Sequence, residues 1–192
     1  MRSPHCFIVE PKDGKRYDNT KELGGKEFVT SSSQEDHLVT NRIAVVENIP
    51  IIYNGPIKKG DEIVVHHNTF RLYHDMKGRE KSSASHLFDD KYMIYPTEVY
   101  AYRCPGGKWN AIAPYCFVEP IKDTNNTEGL IKNSDELSLF GVMVYPNIEQ
   151  SDIKPGTIIS FIPDSEYEFN IDGKKLYRMK TSMICLVSER KY

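Results

Sequence analysis

The sequence predicts an all-β protein built from two similar small barrels, and two observations lead to this prediction. The segment from Ile57 to Ile63 returns half a chain length later as the segment from Ile153 to Ile159, with Gly60 matched by Gly156. Short runs of β-branched and aromatic residues alternate with turn residues, and no sustained helical period is present. A repeat at half of 192 residues indicates one β unit written twice.

The first unit is predicted to begin with a short strand that ends at Pro11. From Lys12 to Thr40 the apolar pattern disappears, which predicts a long loop containing one apolar pair, Phe28-Val29. A second polar excursion is expected between His74 and Lys91. The remaining apolar runs of this unit are predicted as strands: Ile43–Val46, Ile63–Val65, Phe70–Tyr73, Tyr92–Tyr95 and Val99–Tyr102.

The second unit repeats this order after the short linker that contains Pro105-Gly106-Gly107. Its loop is expected from Ile121 to Leu139 and its tightest hairpin at Asp172-Gly173. The strands are predicted in six runs: Tyr115–Pro120, Gly141–Tyr145, Ile158–Phe161, Tyr167–Ile171, Leu176–Met179 and Met183–Val187. We therefore expect barrel 1 at residues 1–104, a linker at 105–109 and barrel 2 at 110–192.

Charge and hydropathy exclude several classes of partner. The net charge is −2, from 25 basic and 27 acidic residues, and no basic tail is present, so neither nucleic acid nor an acidic membrane is an expected partner. The residues from Met1 to His5 are not followed by the apolar stretch of a signal peptide, and no apolar run has membrane-spanning length. These features favour a cytoplasmic protein.

No cofactor, metal or catalytic residue is predicted. The four cysteines form no C-x-x-C pair and are interpreted as small buried residues in a reducing compartment. His66 and His67 are adjacent, so on a strand they would point to opposite faces and make poor joint ligands. No nucleophile or phosphate-binding motif is present.

In this order the residues resemble the GroES family of co-chaperonins. That family has an opening strand that ends in proline, a long mobile loop with a Gly-Gly-aliphatic island, a Gly-containing strand, a "V-K-x-G-D-x-V" hairpin and a closing strand pair. Four of these features occur in both halves. They are the opening strands Phe7–Pro11 and Phe117–Pro120, the loop residues Gly24-Gly25 and Glu128–Ile131, the hairpins Ile57–Ile63 and Ile153–Gly156, and the closing strands within Met93–Ala101 and Met183–Leu186; the Gly-containing strand is Gly141–Val144 of the second half.

The chain also departs from the family in three places. Lys26-Glu27 separates the first glycine pair from Phe28-Val29, and Arg42 stands where the family often has glycine. The family's roof hairpin is missing, because the connections Ile49–Pro56 and Ile148–Asp152 are too short to form it. Some bacteriophage co-chaperonins are similar in this last respect, which favours a phage-like source.

The resemblance implies a non-enzymatic, homo-oligomeric ring that caps a GroEL-like chaperonin ring and assists ATP-dependent folding of a client protein, in the host cytoplasm if the gene is carried by a phage. It implies that the mobile loops make the contact, through Gly129, Leu130 and Ile131 in the second unit and Gly24, Gly25, Phe28 and Val29 in the first. An alternative remains open: a duplicated β-barrel structural or adaptor protein, for example of a virion, without chaperonin activity.

Overall fold

The computed structural model describes residues 2–17, 20–23, 26–29, 39–122, 136–150 and 152–191. The chain divides into two compact units, Met1–Lys108 and Trp109–Tyr192. Within the described ranges, the helical segments are 3₁₀ turns of three residues each. The prediction of an all-β chain is therefore confirmed. No closed barrel is found among the described strands, so the two-barrel architecture stays a prediction.

The strands are numbered in chain order. In the first unit they are β1 (Phe7–Pro11), β2 (Thr20–Leu23), β3 (Lys26–Val29), β4 (Ile43–Asn48), β5 (Glu62–Val64), β6 (Tyr73–His74), β7 (Glu80–Lys81), β8 (His86–Phe88), β9 (Lys91–Ile94) and β10 (Ala101–Arg103). In the second they are β11 (Asn110–Ala111), β12 (Tyr115–Lys122), β13 (Glu136–Tyr145), β14 (Thr157–Phe161), β15 (Tyr167–Ile171), β16 (Lys174–Lys180) and β17 (Ile184–Lys191).

The main sheets of the two units have the same strand order. In the first unit, antiparallel strands follow the order β10-β5-β4-β1-β9-β8. In the second, they follow the order β17-β14-β13-β12-β16-β15. Each of these six strands of the first unit thus has a counterpart at the same place in the second.

The register of the strands repeats as well. Val9 of β1 lies opposite Val46 of β4, and Val118 of β12 lies opposite Met143 of β13. In both pairs the register shifts immediately before that valine. Because a one-residue slip would turn every side chain to the other face, a shared register and a shared bulge indicate the same core-facing positions in both units.

The repeat that organises the sequence also organises the sheets. Ile63 lies opposite Ala44, and Ile159 lies opposite Gly141, which is the counterpart of Ala44. Both isoleucines are buried. Ile63 and Ile159 therefore occupy equivalent places in their units, as the repeat predicts.

The two cores are built from the same six positions. In the second unit a contiguous cluster of buried side chains comes from all of the central strands. Its members are Cys116, Val118, Met143, Ile159, Phe161 and Met179. The residues at the same register positions of the first unit are Phe7, Val9, Val46, Ile63, Val65 and Ile94, all of which are buried.

Four predictions about local structure need correction. The loop expected from Ile121 to Leu139 is shorter, because β12 continues to Lys122 and β13 begins at Glu136. The stretch from Lys12 to Thr40 is not loop throughout, because β2 and β3 pair within it. Of the strand expected at Phe70–Tyr73, only Tyr73 lies in a strand, the two-residue β6, which among the described strands pairs with β7. The strand expected from Val99 begins at Ala101, since a 3₁₀ turn at Pro96–Glu98 precedes it.

The hairpin predicted at Asp172-Gly173 is confirmed. Ile171 of β15 pairs with Lys174 of β16 across a two-residue connection. Asp172 and Gly173 have φ angles of 52° and 76°. Positive φ at both central residues is what a tight hairpin turn requires, and Asp-Gly is a favoured sequence for it.

Candidate functional site

The two long connections leave their units at the same place in the sheet. In the first unit Pro11 pairs with Ala44, and in the second Pro120 pairs with Gly141. Each pair lies between the opening strand and the strand that follows the connection. The residues at the base of each connection therefore define the candidate site.

Asn41 closes the base of the first connection. Its amide Nδ2 donates to the carbonyl oxygens of Lys12, at 3.1 Å, and Lys15, at 2.8 Å. Its backbone N–H donates to the carbonyl of Arg16 at 2.9 Å, and its Oδ1 accepts from the N–H of Ile43 at 2.9 Å. The side chain of Asn41 thus connects the segment that follows β1 to the segment that precedes β4.

Tyr17 adds a second tie one step further out. An isolated antiparallel bridge joins Tyr17 to Thr40. The hydroxyl of Tyr17 accepts a hydrogen bond of 2.7 Å from the backbone N–H of Leu72. Thr40 is buried, so both ends of the first connection are anchored on the body of the unit.

Glu136 closes the base of the second connection. It pairs with Lys122, so β12 and β13 run together up to the point where residues 123–135 begin. One of its carboxylate oxygens accepts a hydrogen bond from the hydroxyl of Tyr177, and the other lies 2.8 Å from Nζ of Lys175. Lys175 also lies 3.2 Å from a carboxylate oxygen of Glu168.

The protonation states of Lys175 and Tyr177 allow both side chains to bind the carboxylate of Glu136. Burial lowers the pKa of Lys175, but its hydrogen bonds with Glu136, Tyr177 and Glu168 outweigh burial and raise the pKa above the usual value for lysine. Burial, together with the nearby Glu136 carboxylate, raises the pKa of Tyr177. At neutral pH, Lys175 is therefore a cation and Tyr177 a neutral donor, and both bind the Glu136 carboxylate.

The residues predicted to contact a chaperonin fall largely outside the described part of the chain. Gly24 and Gly25, and Gly129, Leu130 and Ile131, lie outside the described residues. The backbone of Phe28 and Val29 belongs to β3, opposite Lys21 and Thr20 of β2. The side chains of these two residues also lie outside the described part.

The adjacent histidines are arranged differently from the prediction. His66 and His67 are not on a strand: His66 precedes a 3₁₀ turn at His67–Thr69, and its Nδ1 accepts from the N–H of Asn68 at 3.2 Å. The two rings lie side by side with centroids 4.0 Å apart, rather than on opposite faces. Within the described ranges, no group of three or more His, Cys, Asp or Glu side chains is placed to hold a metal.

The prediction that the cysteines are buried holds for two of the four. Cys6 and Cys116 are buried, whereas Cys104 and Cys185 are exposed. Burial raises the pKa of the Cys116 thiol to about 12, so this side chain is a neutral core residue and a poor nucleophile.

Several large apolar side chains are exposed near the sheet ends and the short connections. Ile51 and Ile52 follow β4, and Ile148 follows β13 at the counterpart of Ile51; Ile148 is 89% exposed. Leu186 and Val187 of β17 are 66% and 49% exposed. Among the described strands β17 pairs only with β14, so these two residues lie on an open edge.

Sequence reasoning missed the two residues that close the loop bases. The role of Asn41 could have been predicted from the sequence, because an asparagine between a polar stretch and a β-branched run often forms hydrogen bonds with the neighbouring backbone. Glu136 carried none, since its partner Tyr177 is 41 residues away. The β2–β3 hairpin could have been predicted from two four-residue runs separated by Gly-Gly.

The chain matches no model of a known protein family, and a search of curated proteins finds no significant match either. In the described part of the chain, no helix has the length and apolar character needed to cross a membrane.

Proposed function

We propose that this protein is a co-chaperonin-like lid, which docks on a chaperonin ring through the long connections of its two units and assists ATP-dependent folding inside that ring. One observation carries the proposal. Both units place a long connection between the same two antiparallel strands, beyond the equivalent residue pairs Pro11–Ala44 and Pro120–Gly141. The chain therefore offers two equivalent points of attachment.

The composition of the second connection suits a weak, specific contact. Residues 123–135 contain only two aliphatic side chains, Leu130 and Ile131, within an otherwise polar stretch that includes Thr124–Thr127 and Lys132–Asp135. Burying one such side chain in a partner's groove contributes about 1.5–3 kcal/mol, and ordering the segment offsets part of that gain. One connection alone would bind weakly.

The closed bases make several such contacts additive. Asn41 and Glu136 fix the ends of their connections, so each contact segment is presented from a defined point. When several segments are held on one rigid assembly, the second and later contacts become intramolecular, and the overall affinity can far exceed that of one segment. Several weak contacts of this kind would let a lid bind a ring with high overall affinity, while each single contact still dissociates readily.

Assembly of the lid from several copies is part of the proposal. The edge strand β17 exposes Leu186 and Val187, and an open edge with apolar side chains favours pairing with another chain. The resemblance implies a ring with seven subunit positions, an odd number that whole two-unit chains cannot fill. The ring then holds an even number of units, or one unit is left out of it.

The proposal is tested by co-sedimentation with a purified GroEL-like chaperonin, with and without ATP, followed by an assay of assisted refolding. We expect the chain to sediment with the chaperonin when nucleotide is present and to raise the yield of a chaperonin-dependent client. Failure to bind under either condition would overturn the proposal. If the chain still forms a ring by native mass spectrometry, that result would favour the duplicated structural or adaptor protein.

A further inference from the structure

A pocket of about 400 Å³ lies in the first unit. It is formed between the 3₁₀ turn at His67–Thr69 and the segment that follows β7. Its lining consists of Asn68, Arg71, Tyr73, Ser83 and Ala84. The volume falls within the usual range for small-molecule sites, and the lining contains no acidic residue.

Arg71 gives this pocket its chemical character. Its Nε is buried and has no hydrogen-bond partner among the described residues. A guanidinium is always charged and carries five N–H donors, so a buried donor without an acceptor costs free energy. Arg71 also lines the pocket, so its guanidinium group can pair with an acceptor that binds there.

Two other arginines of the first unit, Arg103 and Arg16, are paired with carboxylates. Arg103 binds Glu62 with two nitrogens, Nε at 2.7 Å and NH2 at 2.6 Å from the same carboxylate oxygen. NH2 of Arg16 lies 3.6 Å from Asp90. Both have a carboxylate partner within the unit, whereas no carboxylate lines the pocket around Arg71.

Arg178 of the second unit is an example of an arginine that is stabilised by aromatic rings. The guanidinium of Arg178 lies over the ring of Tyr115, at 4.8 Å from the centroid, and over that of Tyr167, at 5.3 Å. Such stacking compensates part of the desolvation of a cation. Tyr73 lines the Arg71 pocket, yet it is 46% exposed and accessible to a ligand.

The walls of the pocket are held in place by the body of the unit. The hydroxyl of Ser83 donates to the carbonyl of Thr69 at 2.6 Å, which joins the two sides. The backbone N–H of Leu72, next to Arg71, donates to the hydroxyl of Tyr17 at 2.7 Å. A pocket with fixed walls binds a ligand without first paying for its own ordering.

We propose that this pocket binds a small organic carboxylate through the guanidinium of Arg71. The planar fork of an arginine matches the two oxygens of a carboxylate, and one cation in the lining balances one negative charge. The side-chain amide of Asn68 and the hydroxyl of Tyr73 supply further donors, and the methyl of Ala84 and the ring of Tyr73 supply apolar surface. A carboxylate with a flat apolar body fits this lining better than a highly charged phosphate. The inference does not depend on chaperonin binding.

Calorimetric titration of the full chain with three probes tests the proposal. The probes are benzoate, the neutral analogue benzamide and inorganic phosphate. We expect benzoate to bind and the other two to bind at least about tenfold more weakly, a difference of about 1.4 kcal/mol. Stronger binding of phosphate than benzoate would overturn the carboxylate assignment, and equal binding of benzamide would overturn the role of charge.

Two variants connect binding to Arg71. Arg71→Gln should weaken benzoate binding at least about tenfold, and Arg71→Lys, which keeps the charge but loses the planar fork, should give an intermediate loss. Arg79→Gln is the matched control, because Arg79 is exposed and does not line the pocket. Unchanged benzoate affinity in both Arg71 variants, or no benzoate binding by the wild-type chain, would reject the site. Circular dichroism of each variant establishes that it is folded.

Discussion

Gly60 and Gly156 hold the same backbone position in the two units. The N–H of Gly60 donates to the carbonyl of Val46 at 2.7 Å, and that of Gly156 donates to the carbonyl of Met143 at 2.8 Å. Their φ angles are 90° and 87°. The duplication therefore extends from the strand order to individual turn hydrogen bonds.

The first prediction concerns these two turns. Gly60→Ala and Gly156→Ala should each lower the free energy of unfolding of their unit by about 1–2 kcal/mol, because an L residue is strained at positive φ. Apart from the two neighbouring residues in the chain, no described atom lies within 4 Å of an added Cβ at either site, so the cost comes from the backbone conformation and not from a clash with another part of the fold. Urea denaturation measures it, and Gly60→Asn, which tolerates positive φ better, should lose less. A neutral effect of both alanine variants would contradict the shared turn.

The second prediction concerns Gly141, where the sheet leaves no room for a side chain. An added Cβ would overlap Cγ1 of Val118 and lie 2.9 Å from the carbonyl oxygen of Glu119. Gly141→Ala should therefore destabilise the second unit by about 1–3 kcal/mol through overpacking. In a double-mutant cycle, adding Val118→Ala should cost less in the Gly141→Ala background than alone, since it opens the needed space. Strict additivity would argue against this contact.

The third prediction is a loss of stability in alkali. Burial disfavours the thiolate and raises the pKa of Cys116 to about 12, from the 9.0 of an exposed thiol. Below about pH 9, the neutral thiol therefore makes its full contribution to the free energy of unfolding. As the pH rises toward 12 this contribution is lost, and the free energy of unfolding falls by up to about 1.4 kcal/mol per pH unit. Urea midpoints measured at about pH 8 and about pH 10 should differ less in Cys116→Ala than in the wild-type chain. Equal pH dependence in the two proteins would show that the thiol ionises freely in the folded state.

The fourth prediction tests the second connection as the contact segment. Leu130→Ser combined with Ile131→Ser should leave the melting temperature unchanged and remove co-sedimentation with the chaperonin, because each lost aliphatic contact is worth about 1.5–3 kcal/mol and the loss repeats around a ring. Ile148→Ser is the matched control, since Ile148 is an exposed aliphatic residue of the same unit on another connection.

The opposite result has an equally definite meaning. If the double variant melts at a lower temperature and binds the chaperonin normally, Leu130 and Ile131 belong to the core of their own unit. Phe28 and Val29 of the first connection would then be the next residues to substitute.

The sequence by itself determined the duplication, because its signals are local. A glycine before a β-branched run marks a turn with positive φ, and Gly60 and Gly156 both have it. Alternating apolar residues mark the core face of a strand, and Ile63 and Ile159 are buried at equivalent register positions. Asp172-Gly173 likewise encoded its own hairpin.

Tertiary structure alone decided which residues meet across long stretches of chain. Glu136 gains its role from Tyr177 and Lys175, and the pocket around Arg71 depends on Ser83, which bonds to Thr69. These partners follow from strand order and register, which no single segment specifies. The sequence also did not determine which cysteines are exposed. Cys116 is buried and Cys185 is exposed, although both lie in apolar runs. The reason is that β12 is central in its sheet, whereas β17 is at the edge. The local sequence determines the backbone conformation of each segment. The contacts that a side chain makes, and therefore its role, depend on the neighbours that the fold brings to it.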